Sequence, residues 1–172
     1  MNGEPYAKAS DIYSFGVVMS ELSSGKPPFY HKKHVWNLSL AICNGLRPEF
    51  GKGTPEFYKK LAYRCMNANP NQRPTISEIY NTVDFWWASV DVGNAEDNRD
   101  KKKDGYYGRE IKESFEKSDK EIPNIFISYK KNPEAIYTSR AFTFSNLPKP
   151  INSSLITSYL EGIILKFSNF NN

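Results

Sequence analysis

Apolar positions in the first half of the chain recur at helical spacing. Between Asp11 and Ser23, Ile12, Phe15, Met19 and Leu22 fall on one stripe, while Tyr13, Val17 and Val18 make other faces apolar. A helix apolar almost all round is expected in the middle of a core. Gly16 in its interior costs about 1 kcal/mol relative to alanine, which points to a close approach by another backbone. Gly25, Pro27 and Pro28 stop this helix. A second helix is predicted from His34 to Asn44, ending at Gly45 ahead of Arg47-Pro48. The third opens with Thr54 as N-cap, Pro55 at N1 and Glu56 in the first turn. Its core face is Phe57, Tyr58, Leu61, Ala62, Cys65 and Met66, with Lys59, Lys60 and Arg64 toward water. The fourth begins at the capping box Thr75-Ile76-Ser77-Glu78. Ile76, Ile79, Tyr80 and Val83 form its predicted stripe, closed by Trp86 and Trp87. The expected fold class is mainly α.

The pattern changes near residue 88. From Ser89 to Asp104 the side chains are short or charged, ending in Arg99-Asp100-Lys101-Lys102-Lys103-Asp104. Residues 88–108 therefore read as a solvated, disordered linker, with Asp104-Gly105 as a turn in it. Residues 109–172 read as a tail. A short exposed helix is predicted over 109–121, where Lys112/Glu116 and Glu113/Lys117 stand at i,i+4. Scattered aromatics, prolines and a Ser/Asn-rich end follow. The apolar stretch Leu155–Phe167 contains Glu161 and Lys166 and is too short to span a bilayer.

Composition narrows the classes. Of 172 residues, 23 are Lys or Arg and 19 are Asp or Glu, a net charge of +4 that is too weak to indicate nucleic acid. Hydrophobic residues are 39%, so part of the chain packs and part does not. Cys43 and Cys65 rule out a disulfide scaffold, fit no CxxC signature and fall on core faces as inert thiols. An intracellular, cytoplasmic setting without a signal or membrane span follows. His31 and His34 stand at i,i+3 without further ligands nearby, so no metal is expected. Lys101 to Lys103 with Tyr106 and Tyr107 are offset by flanking acids, so no nucleic-acid patch is expected.

Two polar groups are not needed by helix packing. Asp11 opens the most apolar helix, either as an N-cap or as a group held for another segment. Arg73 lies in the loop Asn69-Pro70-Asn71-Gln72-Arg73-Pro74-Thr75, either solvated or paired with a carboxylate.

Together these segments resemble the end of a eukaryotic protein kinase domain. Ser10-Asp11-Ile12-Tyr13-Ser14-Phe15-Gly16-Val17-Val18-Met19 is similar to the central helix of its C-terminal lobe, and Ser24-Gly25-Lys26-Pro27-Pro28-Phe29 to the turn after it. Cys65-Met66 through Asn69-Pro70 to Gln72-Arg73-Pro74-Thr75 is similar to the last signature of the family. Tyr13 and Phe15 favour the tyrosine-kinase-like branch, whose members mostly phosphorylate Ser and Thr. The resemblance covers residues 3 to 87 and implies a partial kinase C-lobe over 1–87, the four predicted helices, followed by a largely irregular tail.

It also implies roles. Asp11 would accept hydrogen bonds from the backbone of the catalytic loop, and Arg73 would pair with the Glu of the APE motif. With Gly16 these are supporting residues. No catalytic, cofactor-binding or metal residue is assigned to this chain. Phosphoryl transfer needs a Gly-rich loop, a Lys/Glu pair, the HRD loop and the DFG Asp, and none is found. Gly51-Lys52-Gly53 follows no strand, and by spacing the APE Glu would fall just before Met1, so Glu4 is not that residue. The chain reads as a kinase fragment inactive alone, with Mg and ATP belonging to an intact parent. The alternative is a non-catalytic helical module that binds protein partners through residues 31–66, including Trp36, Leu46 and Phe50.

Overall fold

The structure is a computed structural model describing residues 8–91, 93–121, 129–138 and 146–161. In chain order it contains α1 (Lys8–Ser24), α2 (Trp36–Cys43), α3 (Glu56–Cys65), a 3₁₀ turn (Pro70–Gln72) and α4 (Ile76–Val90). Then come α5 (Ala95–Asn98), β1 (Lys102–Lys103), β2 (Tyr106–Tyr107), α6 (Gly108–Glu121) and α7 (Ser154–Leu160). Among the described residues the fold is mostly helical with one two-stranded sheet, consistent with a partial kinase C-lobe. No helix among the described residues is long and apolar enough to cross a membrane. Glu4 and the Ser/Asn-rich end lie outside the described residues.

Local chemistry explains the helix ends, with shifts of a residue or two from expectation. Lys8 to Ser10 are already helical, so Asp11 lies inside the first turn of α1 and is not its N-cap. Helix α2 runs only from Trp36 to Cys43, behind Val35, which offers no side-chain cap. At α3 the N-cap is Pro55, not Thr54, because the Thr54 hydroxyl instead donates to the Gly51 carbonyl at 2.7 Å. The capping box of α4 forms fully: the Thr75 hydroxyl accepts from the Glu78 amide at 3.2 Å, and Glu78 accepts from the Thr75 amide at 2.7 Å.

The core is built mainly where α1 meets α3 and where α4 meets α6. Its buried side chains include Ile12, Met19, Phe57, Leu61, Cys65, Met66, Trp86, Ile111 and Ile156. Two expected faces are corrected. In α1 the buried face is Ile12, Gly16, Met19 and Ser20, while Phe15, Val18 and Leu22 are exposed, Leu22 by 74%. In α4 the inward positions are Ile79, Thr82, Phe85, Trp86 and Ser89, and the predicted Ile76, Tyr80 and Val83 face outward with Trp87. Periodicity finds an apolar helix but cannot choose between two apolar stripes; the docking of α6 chooses the one with Trp86.

The segment expected to be a disordered linker is folded in the described residues. Helix α4 continues to Val90, α5 follows, and a hairpin pairs Lys102 with Tyr107 and Lys103 with Tyr106. Asp104 (φ 51°) and Gly105 (φ 98°) both take positive φ, the requirement of a two-residue hairpin turn that Asp-Gly meets at low cost. Most of the charges that suggested solvation stay exposed on this folded segment: Asp100 pairs with Arg109 of α6, and Asp104, in the turn itself, accepts from the Thr82 hydroxyl of α4 at 3.1 Å. Helix α6 matches the predicted 109–121 closely, yet it is not simply exposed. Ile111 is fully buried, and Phe115 sits 5.2 Å from Phe57, centroid to centroid.

The tail is likewise attached. Helix α7 is capped by Ser153 and buries Ile156 against α3. Ahead of it, Ile151 donates to the Cys43 carbonyl at 2.8 Å, and Asn152 bonds both the Ala68 amide and the Asn67 side chain.

Candidate functional site

The polar groups of the helical lobe converge around Tyr13, on the first half of α1. The Arg73 guanidinium is 5.1 Å from its ring centroid and that of Arg47 is 5.5 Å away. Each cation is held by main-chain carbonyls. Arg73 Nε donates to Asn67 at 2.8 Å and its Nη1 to Ala9 of α1 at 2.7 Å. Arg47 Nε donates to Met66 at 3.0 Å, and its Nη1 to Ile42 and Leu46 at 2.9 and 2.8 Å. Arg73 thus ties the loop after α3 to α1, and Arg47 ties the end of α2 to the end of α3.

Local sequence makes both positions possible. The 3₁₀ turn at Pro70, braced by the Asn69 side chain, delivers Arg73 in extended backbone. Gly45 (φ 96°) turns the chain after α2 so that Arg47 can lie back over it. Arg47 is only 8% exposed and was not among the residues singled out from sequence. Its signal was a charged residue between a helix-ending glycine and a proline, which is common in ordinary loops.

Burial dominates the electrostatics here. It raises the Tyr13 hydroxyl above the ordinary tyrosine range, opposed by the two flanking guanidiniums. It also lowers Arg73, with Arg47 adding to the effect. A carbonyl cradle stabilises such a cation without supplying a full countercharge. Burial pushes the Cys65 thiol up to about 12, which makes it unreactive.

The remaining predicted residues occupy separate places. Gly16 faces α3: a methyl group there would lie 2.8 Å from the Ala62 carbonyl and 2.9 Å from Cys65 Cβ. Asp11 is exposed in the first turn of α1. Leu46 and Phe50 line a cavity of about 260 Å³ together with Lys26, Tyr30, His31 and Glu121. Trp36 is not in that lining; it is 41% exposed at the start of α2. Trp36 thus lies outside the cavity that Leu46 and Phe50 line. Among the described residues, no three His, Cys, Asp or Glu side chains converge to hold a metal ion.

Residues 1–83 match the family model of protein tyrosine and serine/threonine kinases. Relatives from Dictyostelium discoideum agree with it. A probable serine/threonine-protein kinase is 35% identical over 78 residues, 45% of this chain and 5% of its own length. The dual specificity protein kinase shkD is 36% identical over 80 residues, 46% of this chain and 11% of its own. A probable LIM domain-containing serine/threonine-protein kinase is 32% identical over 81 residues, 47% of this chain and 12% of its own. The matched part thus spans only a small fraction of each relative. No solved structure matches the chain.

Proposed function

We propose that residues 1–83, which match a protein kinase domain, form the closing helical part of a kinase catalytic domain of the tyrosine-kinase-like branch. The parent enzyme would move the γ-phosphate of Mg·ATP to Ser or Thr hydroxyls in an intracellular, cytoplasmic setting. The observation that carries this reading is Arg73. Within the matched segment it clamps the loop after α3 to α1 through Ala9 and Tyr13, which holds the central helix rigid for whatever packs on it. The outward stripe of Phe15, Val18 and Leu22 on α1 supports the same reading, as a face for the rest of a catalytic domain.

On this reading these 172 residues support catalysis without performing it. Asp11, Gly16 and Arg73 hold structure, and the groups that bind ATP and Mg belong to other parts of the parent. Titrating Mg·ATP into the purified chain should give no saturable binding and no phosphorylation of a generic Ser/Thr substrate. Saturable ATP binding with substrate phosphorylation overturns this.

A second reading, a partner-binding module, is favoured by the cavity beside Leu46 and Phe50. It expects Phe50→Ala to abolish binding of a defined partner while Trp36→Ala, outside the cavity, leaves it intact.

A further inference from the structure

The loop after α1 is braced by its own bonds. The Tyr30 amide donates to Pro27 at 3.2 Å, the Lys32 amide to Phe29 at 2.9 Å, and Phe29 takes a left-handed φ of 56°. Main-chain groups are left over at its rim, and residues 132–137 of the tail, Asn-Pro-Glu-Ala-Ile-Tyr, take them up. The Asn132 amide donates to the Tyr30 carbonyl at 2.8 Å, and the His34 amide donates to the Glu134 carbonyl at 3.1 Å. The Ile136 carbonyl can only accept, so His34 Nδ1, 2.9 Å away, carries the hydrogen of that bond. The Tyr137 hydroxyl donates to the Pro28 carbonyl at 2.9 Å.

Side chains add selectivity. Glu134 forms an ion pair with Lys33. The Tyr137 ring meets the His34 ring edge to face at 4.8 Å. Ala135 is 2% exposed, which limits that position to a small residue. Asn132 shapes the segment itself, its side chain accepting from the Glu134 amide and its carbonyl from the Ala135 amide, both at 2.9 Å. Main-chain bonds give such a contact affinity, and the buried small residue and the aromatic give it a sequence preference.

We propose that loop 28–34 is a binding site for a short linear peptide of the pattern Asn-Pro-Glu-Ala-Ile-Tyr, and that this chain's own residues 132–137 are its ligand. The segment is a dockable motif: among the described residues, the main-chain groups it bonds outside itself all meet one prebuilt loop. Its occupancy in cis therefore controls access to the site. Phosphoryl transfer does not enter this proposal; the cavity at Leu46 borders the same loop, sharing Pro28 to Lys32 with it.

The test uses the full chain with its tail motif disabled by Ala135→Arg and Tyr137→Ala, and a labelled synthetic peptide of residues 129–138. The disabled chain should bind the peptide saturably and about tenfold or more tightly than the unmodified chain, whose site is already filled. A peptide carrying Ala135→Arg should not bind. No saturable binding to the folded, disabled chain, or equal binding by both chains, overturns the proposal. Should the double variant not fold by circular dichroism, hydrogen exchange on the unmodified chain decides. The His34 amide should be protected in the unmodified chain and should exchange faster when Tyr137→Phe removes the hydroxyl bond to Pro28. Exchange of that amide at the rate of open backbone overturns the proposal.

Discussion

The Arg73 guanidinium lies over the Tyr13 ring, 5.1 Å from its centroid, while its Nη1 donates to the Ala9 carbonyl one helical turn earlier on α1. One side chain thus fixes the position of the central helix relative to the loop that follows α3. Arg73→Ala removes two hydrogen bonds from a charged donor and the contact with the ring. Bonds to charged groups contribute about 1.5–3 kcal/mol each and ring contacts about 0.5–1; Arg73 is only partly buried, so water replaces part of this and stability should fall by about 2–4 kcal/mol. Arg73→Lys should recover less than half, because an ammonium cannot span both carbonyls. Urea unfolding followed by Trp fluorescence measures both.

Gly16 gives the opposite sign from helix propensity. Alanine would favour α1 by about 1 kcal/mol, but its methyl would meet the Ala62 carbonyl and the Met66 side chain at 2.8 Å. Overpacking against backbone costs about 1–3 kcal/mol, so Gly16→Ala should lower the thermal midpoint. An unchanged or raised midpoint would show that α1 and α3 can separate freely.

The segment after α4 is a structural part of the lobe. Ile111→Ala should cost about 2–5 kcal/mol, as for a fully buried aliphatic side chain, and Ile156→Ala a similar amount. Ile76→Ser, at a position 68% exposed, should change stability by about 0.5 kcal/mol or less. Denaturation of the three variants side by side checks the ranking.

Stability should fall in alkali. Burial raises the hydroxyls of Tyr13, Tyr58 and Tyr63, and those of Tyr106 and Tyr137 to about 12. Tyr159, which donates to Glu56 at 2.6 Å, is raised as well, by burial first and that carboxylate second. A raised folded value means the contribution is fully present below the unfolded tyrosine value near 10. It is lost as pH climbs from there through the folded values. Unfolding midpoints measured from pH 8 upward should hold steady to about 10 and then decline.

Cys43 and Cys65 are both buried, and the Cys65 thiol is held near 12. Neither should react with a thiol reagent at neutral pH in the native chain, and both should label as it unfolds. Rapid native labelling would mean that α2 or α3 opens locally.

Hydrophobic periodicity and turn chemistry, read from the sequence alone, determined the helices of the first half and the capping box at Thr75. Charge pairs at i,i+4 gave the helix over 109–121, and the motifs around Asp11, Gly16 and Arg73 carried the resemblance. These signals are local: each depends on side chains within a few residues of one another. Which stripe of α1 and α4 turns inward, the burial of Arg47, and the packing of Ile111 and Ile156 were decided only in the tertiary structure. So was the folding of 88–108, where charged residues that read as solvent-seeking in sequence stay mostly exposed while forming part of a hairpin. The seat of residues 132–137 on loop 28–34 is of the same kind, because two of its bonds, Asn132 to Tyr30 and His34 to Glu134, join main-chain groups about a hundred residues apart. Main-chain groups are identical at every position, so no local pattern marks which of them will meet.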